Sequence, residues 1–478
     1  MSDDCCTEKG EKREKNTFDL IVIGAGSAGF SAAITAAEQG KNVAIIGYGM
    51  IGGTCVNVGC VPSKAMIRAA DVMHASVAAD RFNGVSAVAK LESWSDLQAQ
   101  KQKLVTDLRA AKYIDILPEY ETLSYIEGTA KLVPGGVAAN GKVYKSDKII
   151  VATGSYSQVP PIDGILDIPH LDSTRALDLT ELPTSMIIIG AGVIGCELGQ
   201  MFARMGTKVT LLCRSNVLAG AEPEISDALA GYLRAEGLDV ICGVTYNSIA
   251  QEDGIVLRYD HQGKTGHVSA QHVMLAAGRK ANTVGLGLEE MDIATAKNGG
   301  ILVDEFMHTN VPGIYAVGDV TGRDQFVYMA AYGAKLAANN AMKGHEMRYD
   351  NSVMPAVVFT DPHYATVGMT EAQARAEGIE VKTSVLSLDH VPRALAAFDT
   401  RGLIKLVADA HDNRLIGAHV LAPEGADVIQ TAALAIKTGM TYTELGEMIF
   451  PYLTTVEGLK LAAQTFDKDV AKLSCCAG

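Results

Sequence analysis

The sequence carries one glycine turn twice, and each copy stands between an apolar run and a helical segment. Residues 18–23 (FDLIVI) read as a buried strand, because the run is short, apolar and β-branched. Gly24-Ala25-Gly26-Ser27-Ala28-Gly29 follows directly, then an alanine-rich helix through residue 39 and a second strand over 42–46. The same order recurs as a strand at 185–189, Gly190-Ala191-Gly192-Val193-Ile194-Gly195, a helix through 205 and a strand over 208–212. Glycines at this spacing permit a tight turn and close backbone approach, and the helix N-terminus offers amides and a positive dipole end to a pyrophosphate. A single G-x-G-x-x-G also arises from packing alone. Two copies 166 residues apart, both between a strand and a helix, predict two bound dinucleotides and an α/β fold with two Rossmann-like domains.

The ends of the second strands separate the two sites. Leu212-Cys213-Arg214-Ser215 puts a cation and a hydroxyl where a ribose-binding acid commonly stands, which suits a 2′-phosphate and favours NADPH over NADH. The alternative for Arg214 is a solvated surface residue. The first unit ends Ile45-Ile46-Gly47, with no carboxylate for the ribose.

Composition narrows the partners. A chain of 478 residues predicts three or four domains at roughly 100–200 residues each. Lys and Arg number 41 against 55 Asp and Glu, and the resulting charge of −14 disfavours nucleic acid and anionic membrane surfaces, leaving a small molecule. No apolar run reaches the ~18–20 residues of a spanning helix, and residues 1–16 read as a polar tail without a signal core. A cytoplasmic protein is expected. In that reducing setting the nine cysteines point to redox or metal chemistry rather than to a disulfide framework.

The strongest local signal is GGTCVNVGCVPSK, residues 52–64. Two thiols with four residues between them, Cys55 and Cys60, can close a small redox ring on one helical turn while facing a cofactor. A zinc half-site would use CxxC-type spacing and a second ligand pair, which is absent nearby. Two buried structural cysteines would not account for the framing glycines and lysine.

With this motif the chain resembles the flavoprotein disulfide reductases, the pyridine nucleotide-disulfide oxidoreductase class, over residues 18–478. The resemblance is carried by Gly24, Gly26 and Gly29 of the FAD turn, the cysteine motif with Gly53 and Thr54, Ala152-Thr153-Gly154, Gly190, Gly192 and Gly195 of the NAD(P)H turn, and Gly318-Asp319; Gly278 and Arg279 are further candidate cofactor-binding residues. It implies FAD and NADPH as cofactors, Cys60 as the thiol facing the flavin, Cys55 as the exchange thiol, Lys64 paired with Glu197 beside flavin N5, and Asp319 on the flavin's ribityl or pyrophosphate side. A lysine cation there would stabilise both a thiolate and a reduced flavin anion. The implied layout is 17–155 and 273–348 for FAD, 156–272 for NADPH, and 349–478 as an α+β dimerisation domain that completes the partner's site in a homodimer.

The substrate is sought in the C-terminal domain. Disulfide-reducing members carry His-Pro-Thr-x-x-Glu there, and the histidine protonates a leaving thiolate. This chain reads Tyr452-Leu453-Thr454-Thr455-Val456-Glu457, and an unperturbed phenol, with a pKa near ~10, is a poor proton shuttle at neutral pH. The chain ends Leu473-Ser474-Cys475-Cys476-Ala477-Gly478. Adjacent thiols can offer two thiolates to one soft metal ion, and alone such a pair is as readily incidental. With Phe359-Thr360-Asp361-Pro362, this tail is similar to that of the mercuric reductase family. That similarity implies that Cys475 and Cys476 of one subunit pass Hg(II) to Cys55 and Cys60 of the other, with Tyr113 and Tyr452 beside the ion, and that Hg(II) leaves as Hg(0). Core or interface packing is the alternative for the tyrosines.

Cys5 and Cys6 read as an incidental pair in the tail, with a minimal ion collector as the alternative; the chain has neither the length nor the CxxC spacing expected of an N-terminal metal-binding domain. Cys196, Cys213 and Cys242 read as small hydrophobic residues. Two other functions compete: an NADPH-dependent reductase of an unknown disulfide, which would not need Cys475 and Cys476, and a metal-sequestering or redox-sensing protein without turnover. Lys64, Glu197 and the paired cofactor motifs argue against the second.

Overall fold

A computed structural model describes residues 16–344 and 347–470. The chain forms two compact units, one from the segment up to Asn57 with Leu104–Tyr156 and Arg279–Tyr349, the other from Val58–Lys103, Ser157–Gly278 and the chain from Asp350 onward.

The first unit is built on a five-stranded parallel sheet in the order Ile314–Ala316, Ile149–Val151, Leu20–Ile23, Val43–Gly47, Leu123–Glu127. Four of its strands read as continuous apolar runs because both faces are covered, whereas the edge strand Leu123–Glu127 is partly exposed. Leu20 and Val22 enter one core cluster with Val43 and Ile45, while Ile21 and Ile23 enter another with Ala44 and Ile46. Helices Ser27–Ala37 and Val327–Lys343 belong to the first face, and an antiparallel sheet of Lys131–Val133, Gly136–Ala139 and Lys142–Lys145 to the second. The first helix stops at Ala37, two residues short of the expected end, because residues 38–40 form a turn with Gly40 at φ 72°. The first strand starts at Leu20 rather than at residue 18, where the Asp19 carboxylate accepts the Asn42 amide at 2.8 Å and closes the strand's beginning.

The second unit repeats this plan. Four parallel strands run Asp239–Cys242, Lys208–Cys213, Ser185–Ile189, His272–Leu275. Met186 and Ile188 pack into one cluster and Ile187 and Ile189 into another, the latter shared with the antiparallel sheet Val244–Glu252, Gly254–His261, Lys264–Ala270. Helices Val193–Arg204 and Cys60–Val77 contribute Cys196, Leu198, Met66 and Ile67 to the first of these clusters. The chain beyond Asp350 supplies a five-stranded antiparallel sheet, in the order Ala356–Val358, His363–Gly368, Leu415–Ala422, Leu403–Asp409, Val381–Ser387, packed against helices Gly425–Lys437 and Glu457–Gln464. The fold is therefore two Rossmann-like α/β domains with an α+β C-terminal domain. Among the described residues no helix is long and apolar enough to cross a membrane.

Candidate active site

Both glycine turns close in the same way. Gly24 has φ 115° and its missing Cβ would lie 2.3 Å from the Ala152 carbonyl oxygen; Gly190 has φ 109° and would meet the Ala276 oxygen at 2.4 Å. In each turn the third glycine leaves no room for a side chain, because a Cβ on Gly29 or Gly195 would sit 1.9 Å from the oxygen of Gly24 or Gly190. The middle glycines, Gly26 and Gly192, are N-caps without a side-chain cap, and neither helix has an acidic residue in its first turn. Unclaimed amides and a positive dipole end with no competing carboxylate fit a dinucleotide pyrophosphate at both positions. Gly192 has nothing within 4 Å of its missing Cβ, whereas Gly26 is approached by the Gly53 Cα at 3.5 Å.

Gly53 carries the first turn into the cysteine motif. Gly26 and Gly52 form a parallel bridge, and a Cβ on Gly53 would fall 2.6 Å from the Gly26 Cα. Cys55 lies in a short helix, Gly53–Asn57, with the exposed Thr54 before it. The Asn57 amide donates to the carbonyls of Ile51 and Gly53, both at 2.9 Å, and Arg109 donates to its oxygen at 3.2 Å. The single helical turn expected for the two thiols is corrected here: Val58 and Gly59 interrupt it, and Cys60 is the first residue of the helix Cys60–Val77. Gly59, at φ −120° and ψ −111°, takes the chain out of helical geometry between them. Cys55 is partly buried and Cys60 exposed.

One turn along that helix, Lys64 donates to the Glu197 carboxylate at 2.7 Å and lies 4.9 Å from the Phe359 ring centroid. Glu197 is buried on the helix that follows the second glycine turn, and its other oxygen accepts the Phe359 amide at 2.8 Å. Positions 197, 200 and 204 share one helix face. Gln200 exchanges two hydrogen bonds with the Asp361 backbone at 2.8 and 2.9 Å, and Arg204 pairs with the Asp361 carboxylate at 2.7 Å. The helix thus holds residues 359–361 at three points and fixes the carboxylate that holds Lys64. His74, Glu236 and Asp361 come close enough together for a metal site, but Arg204 and Arg401 already engage both carboxylates. Burial, then Arg204, holds the His74 pKa below its usual value.

In the first unit the C-terminal ends of the parallel strands bring Thr153, Gly154, Asp319 and Arg279 together. Ser155 donates to the Asp319 carboxylate at 2.6 Å and accepts from Arg279 at 2.7 Å, with Arg279 and Asp319 themselves 4.0 Å apart. The Thr153 hydroxyl donates to the Asn282 carbonyl at 2.7 Å, and the Asn282 amide to Gly154 at 2.9 Å. Ser155 has no signal in the sequence, since its role depends on partners 124 and 164 residues away. A Cβ on Gly47 would meet Ala25 Cβ at 2.8 Å, so the place of the missing carboxylate is taken by contact with the glycine turn.

Tyr113 lies in a π-turn, Ala110–Ile114, a form frequent at functional sites. Its hydroxyl is 3.1 Å from Ser27 Oγ, its ring meets Phe30 edge-on at 5.0 Å, and Gly52 admits the ring edge. Tyr452 is 55% exposed in a turn. That turn is held by Thr454, which donates to the Pro451 carbonyl and accepts the Glu457 amide, and by Glu457, which accepts the Leu453 amide. Arg214 is exposed immediately after the strand Lys208–Cys213. Gly278 adopts φ 109°. Cys196 is fully buried, and burial raises its pKa. Cys5, Cys6, Cys475 and Cys476 lie outside the described residues.

The pyridine nucleotide-disulphide oxidoreductase family model matches residues 18–343, and the dimerisation domain of the same family matches 354–463. A mercuric reductase of Staphylococcus aureus is 45% identical over 464 residues, 96% of this chain and 84% of that protein. One from Streptomyces lividans is 43% identical over 468 residues, 96% of this chain and 98% of that protein. Among solved structures, the HOCl-induced flavoprotein disulfide reductase RclA from Escherichia coli superposes with a TM-score of 0.82 at 30% identity, covering 93% of this chain and 99% of that one.

Proposed function

Because the chain belongs to the pyridine nucleotide-disulphide oxidoreductases, and within them to the mercuric reductases, FAD-dependent enzymes that draw on NAD(P)H, we propose that it reduces thiolate-bound Hg(II) to Hg(0) with electrons from NADPH. The observation that carries this reading is the 43–45% identity to mercuric reductases along a chain that has Tyr452 where disulfide reductases use a histidine.

We assign residues 17–155 and 273–348 to FAD, 156–272 to NADPH and 349–478 to dimerisation. The uncapped helix at Gly26 would hold the FAD pyrophosphate, with Gly24 and Gly29 shaping the turn, and Asp319, Arg279, Thr153 and Gly154 would hold the rest of that cofactor. Gly190, Gly192 and Gly195 would do the same for NADPH, with Arg214 on the 2′-phosphate. When bound, FAD supplies the two-electron connection between NADPH and the metal.

Cys55 and Cys60 provide the inner thiolate pair. Hg(II) is soft and prefers two thiolates, so ligand exchange moves it inward from Cys475 and Cys476 of the partner subunit without release. Cys60 heads an 18-residue helix, whose dipole favours negative charge at its start. Lys64, fixed by Glu197, adds a cation one turn away. Tyr113 and Tyr452 would line the metal's place, and the two thiolates released as Hg(II) becomes Hg(0) are the enzyme's own Cys55 and Cys60, so no outgoing product thiolate has to be protonated. The dimerisation domain supports a homodimer, and shared sites follow from the relay.

The test is Hg(II)-stimulated NADPH oxidation with excess small thiol, following Hg(0) release. Wild type should evolve mercury, Cys55→Ala or Cys60→Ala should not, and Cys475→Ala/Cys476→Ala should weaken it. Inhibition by Hg(II) together with turnover of a disulfide such as lipoamide would replace this reading with a general disulfide reductase.

A further inference from the structure

A second pair of thiols stands at the carboxyl ends of two neighbouring parallel strands. Cys213 closes the strand Lys208–Cys213, Cys242 closes Asp239–Cys242, and the two are register partners. Their sulfurs are 3.1 Å apart. Adjacent strands lie about 4.8 Å apart, inside the ~4.4–6.8 Å that the Cα atoms of a disulfide span, so the sulfurs need to approach by only about 1 Å.

The two sulfurs differ chemically. Cys213 is buried, and its hydrogen bond to Cys242, then burial, raises its pKa. Cys242 is partly exposed. The hydrogen bond from Cys213 holds its pKa down at about 7, with Arg234 acting in the same direction and burial opposing. Arg234 is itself fixed by two hydrogen bonds to the Val240 carbonyl, at 3.0 and 3.2 Å. A cleft of about 270 Å³, lined by Asn216, Ser226, Asp227, Arg234 and Cys242 among others, gives a molecule little larger than water a way to that sulfur. One thiol is therefore set up to attack and its neighbour to resolve.

The loop behind Cys213 is tied to both strand ends. The Ser215 carbonyl lies 3.3 Å from the Cys213 sulfur and accepts the Gly243 amide at 3.0 Å. The Leu218 amide donates to Ala191, inside the second glycine turn, at 2.8 Å. A change at the two sulfurs thus bears on Arg214 and on the turn together.

We propose that Cys213 and Cys242 are a second redox dithiol, separate from Cys55 and Cys60, which a peroxide closes to a disulfide and which thereby displaces the loop after Cys213 and weakens NADPH binding. The Cys242 thiolate attacks one oxygen of hydrogen peroxide, the O–O bond breaks, and hydroxide leaves and takes a proton as water. Cys242 is then a sulfenic acid. The Cys213 sulfur attacks it, the S–S bond forms as the S–O bond breaks, and the hydroxide leaves with the Cys213 proton as a second water. Two thiols lose two electrons and two protons, and one peroxide becomes two waters. The effect on NADPH rests on the placement of the 2′-phosphate at Arg214; the closing of the disulfide does not.

The test treats the FAD-loaded protein with hydrogen peroxide, re-reduces Cys55 and Cys60 with NADPH, and maps tryptic peptides without reductant. Residues 209–214 linked to 235–258 are expected. NADPH affinity should fall about tenfold, the worth of one charge-assisted contact, and return with dithiothreitol. Cys242→Ser and, separately, Cys213→Ala should bind NADPH with the same affinity before and after peroxide. Absence of the linked peptide under conditions that oxidise Cys55 and Cys60 overturns the proposal, as does a linked peptide with unchanged NADPH affinity in a protein that prefers NADPH to NADH. If the reduced protein binds NADH as well as NADPH, the Arg214 reading has failed instead, and the linked peptide still supports the dithiol.

Discussion

The two glycine turns share a backbone and differ in what surrounds them. Around the first, Gly53 and Gly47 crowd in from the cysteine motif and the second strand, and the helix Ser27–Ala37 carries no charged residue. Around the second, Gly192 is open, the strand ends at Cys213 with Arg214 directly after it, and the helix Val193–Arg204 carries Glu197, Gln200 and Arg204 into a polar network. The shared geometry is what a pyrophosphate needs, and on the proposed assignment the differences separate a cofactor that stays from one that must enter and leave. A closely fitted turn that runs on into the cysteine motif suits resident FAD, whereas an open turn, in a unit whose second strand is followed by an exposed cation, suits exchanging NADPH.

The sharpest way to break that comparison is to fill the third glycine in each turn. Gly29→Ala and Gly195→Ala each drive a Cβ into a backbone oxygen 1.9 Å away, which costs at least about 3 kcal/mol, the upper end of ordinary overpacking. Gly29→Ala should emerge without flavin absorbance and with a lowered Tm. Gly195→Ala should keep its flavin and lose NADPH oxidation. Loss of flavin from both would mean that the turns are not divided between the two cofactors.

Next in size is the charge that only the second helix carries. Lys64→Met leaves Glu197 buried without its cation, a loss of ~3–5 kcal/mol in a fully buried pair and about 2–3 here because Lys64 is 33% exposed. Denaturant unfolding should show it, and Glu197→Gln should be milder, because a neutral amide needs no counter-ion and its oxygen still accepts the Phe359 amide. Equal losses would mean that the pair, rather than the stranded carboxylate, sets the cost.

Arg214 gives a smaller and more selective effect. Arg214→Ala should raise the KM for NADPH roughly tenfold, about 1.5 kcal/mol for an exposed charge-assisted contact, and leave that for NADH nearly unchanged. Equal rises for both nucleotides would place Arg214 on a group that they share.

Much of this contrast is legible in the sequence because it is local. Strand, turn and helix order, the strand at 185–189 and the pairing of Lys64 with Glu197 all follow from short-range patterns and from motif resemblance. What is not legible arises between segments far apart in the chain. Ser155 matters because two strand ends bring Asp319 and Arg279 to it, and Gln200 and Arg204 matter because residues 359–361 return to that helix face. The break at Val58-Gly59 escaped a spacing argument because i to i+5 spacing does not reveal an interrupted helix. Cys213 and Cys242 read as two separate hydrophobic residues until strand register sets them side by side, although both close apolar runs, which was the available signal.

The smallest effect tests the open space itself. Gly192 has φ −80° and ψ −168°, a conformation open to any residue, and a Cβ there meets nothing within 4 Å. Gly192→Ala should therefore change stability by no more than about 1 kcal/mol, the usual difference between N-cap residues. Nucleotide binding should still suffer, because the methyl group would occupy room left for the approaching pyrophosphate. Gly26→Ala is the matched control: its Cβ would make an ordinary 3.5 Å contact with Gly53, so stability should hold, while the methyl group in the first pyrophosphate's place lowers flavin content and leaves NADPH affinity in the flavin-loaded fraction unchanged. If Gly192→Ala binds NADPH as tightly as the wild type, the phosphates do not lie over this turn, and its resemblance to the first is a matter of packing rather than of ligand.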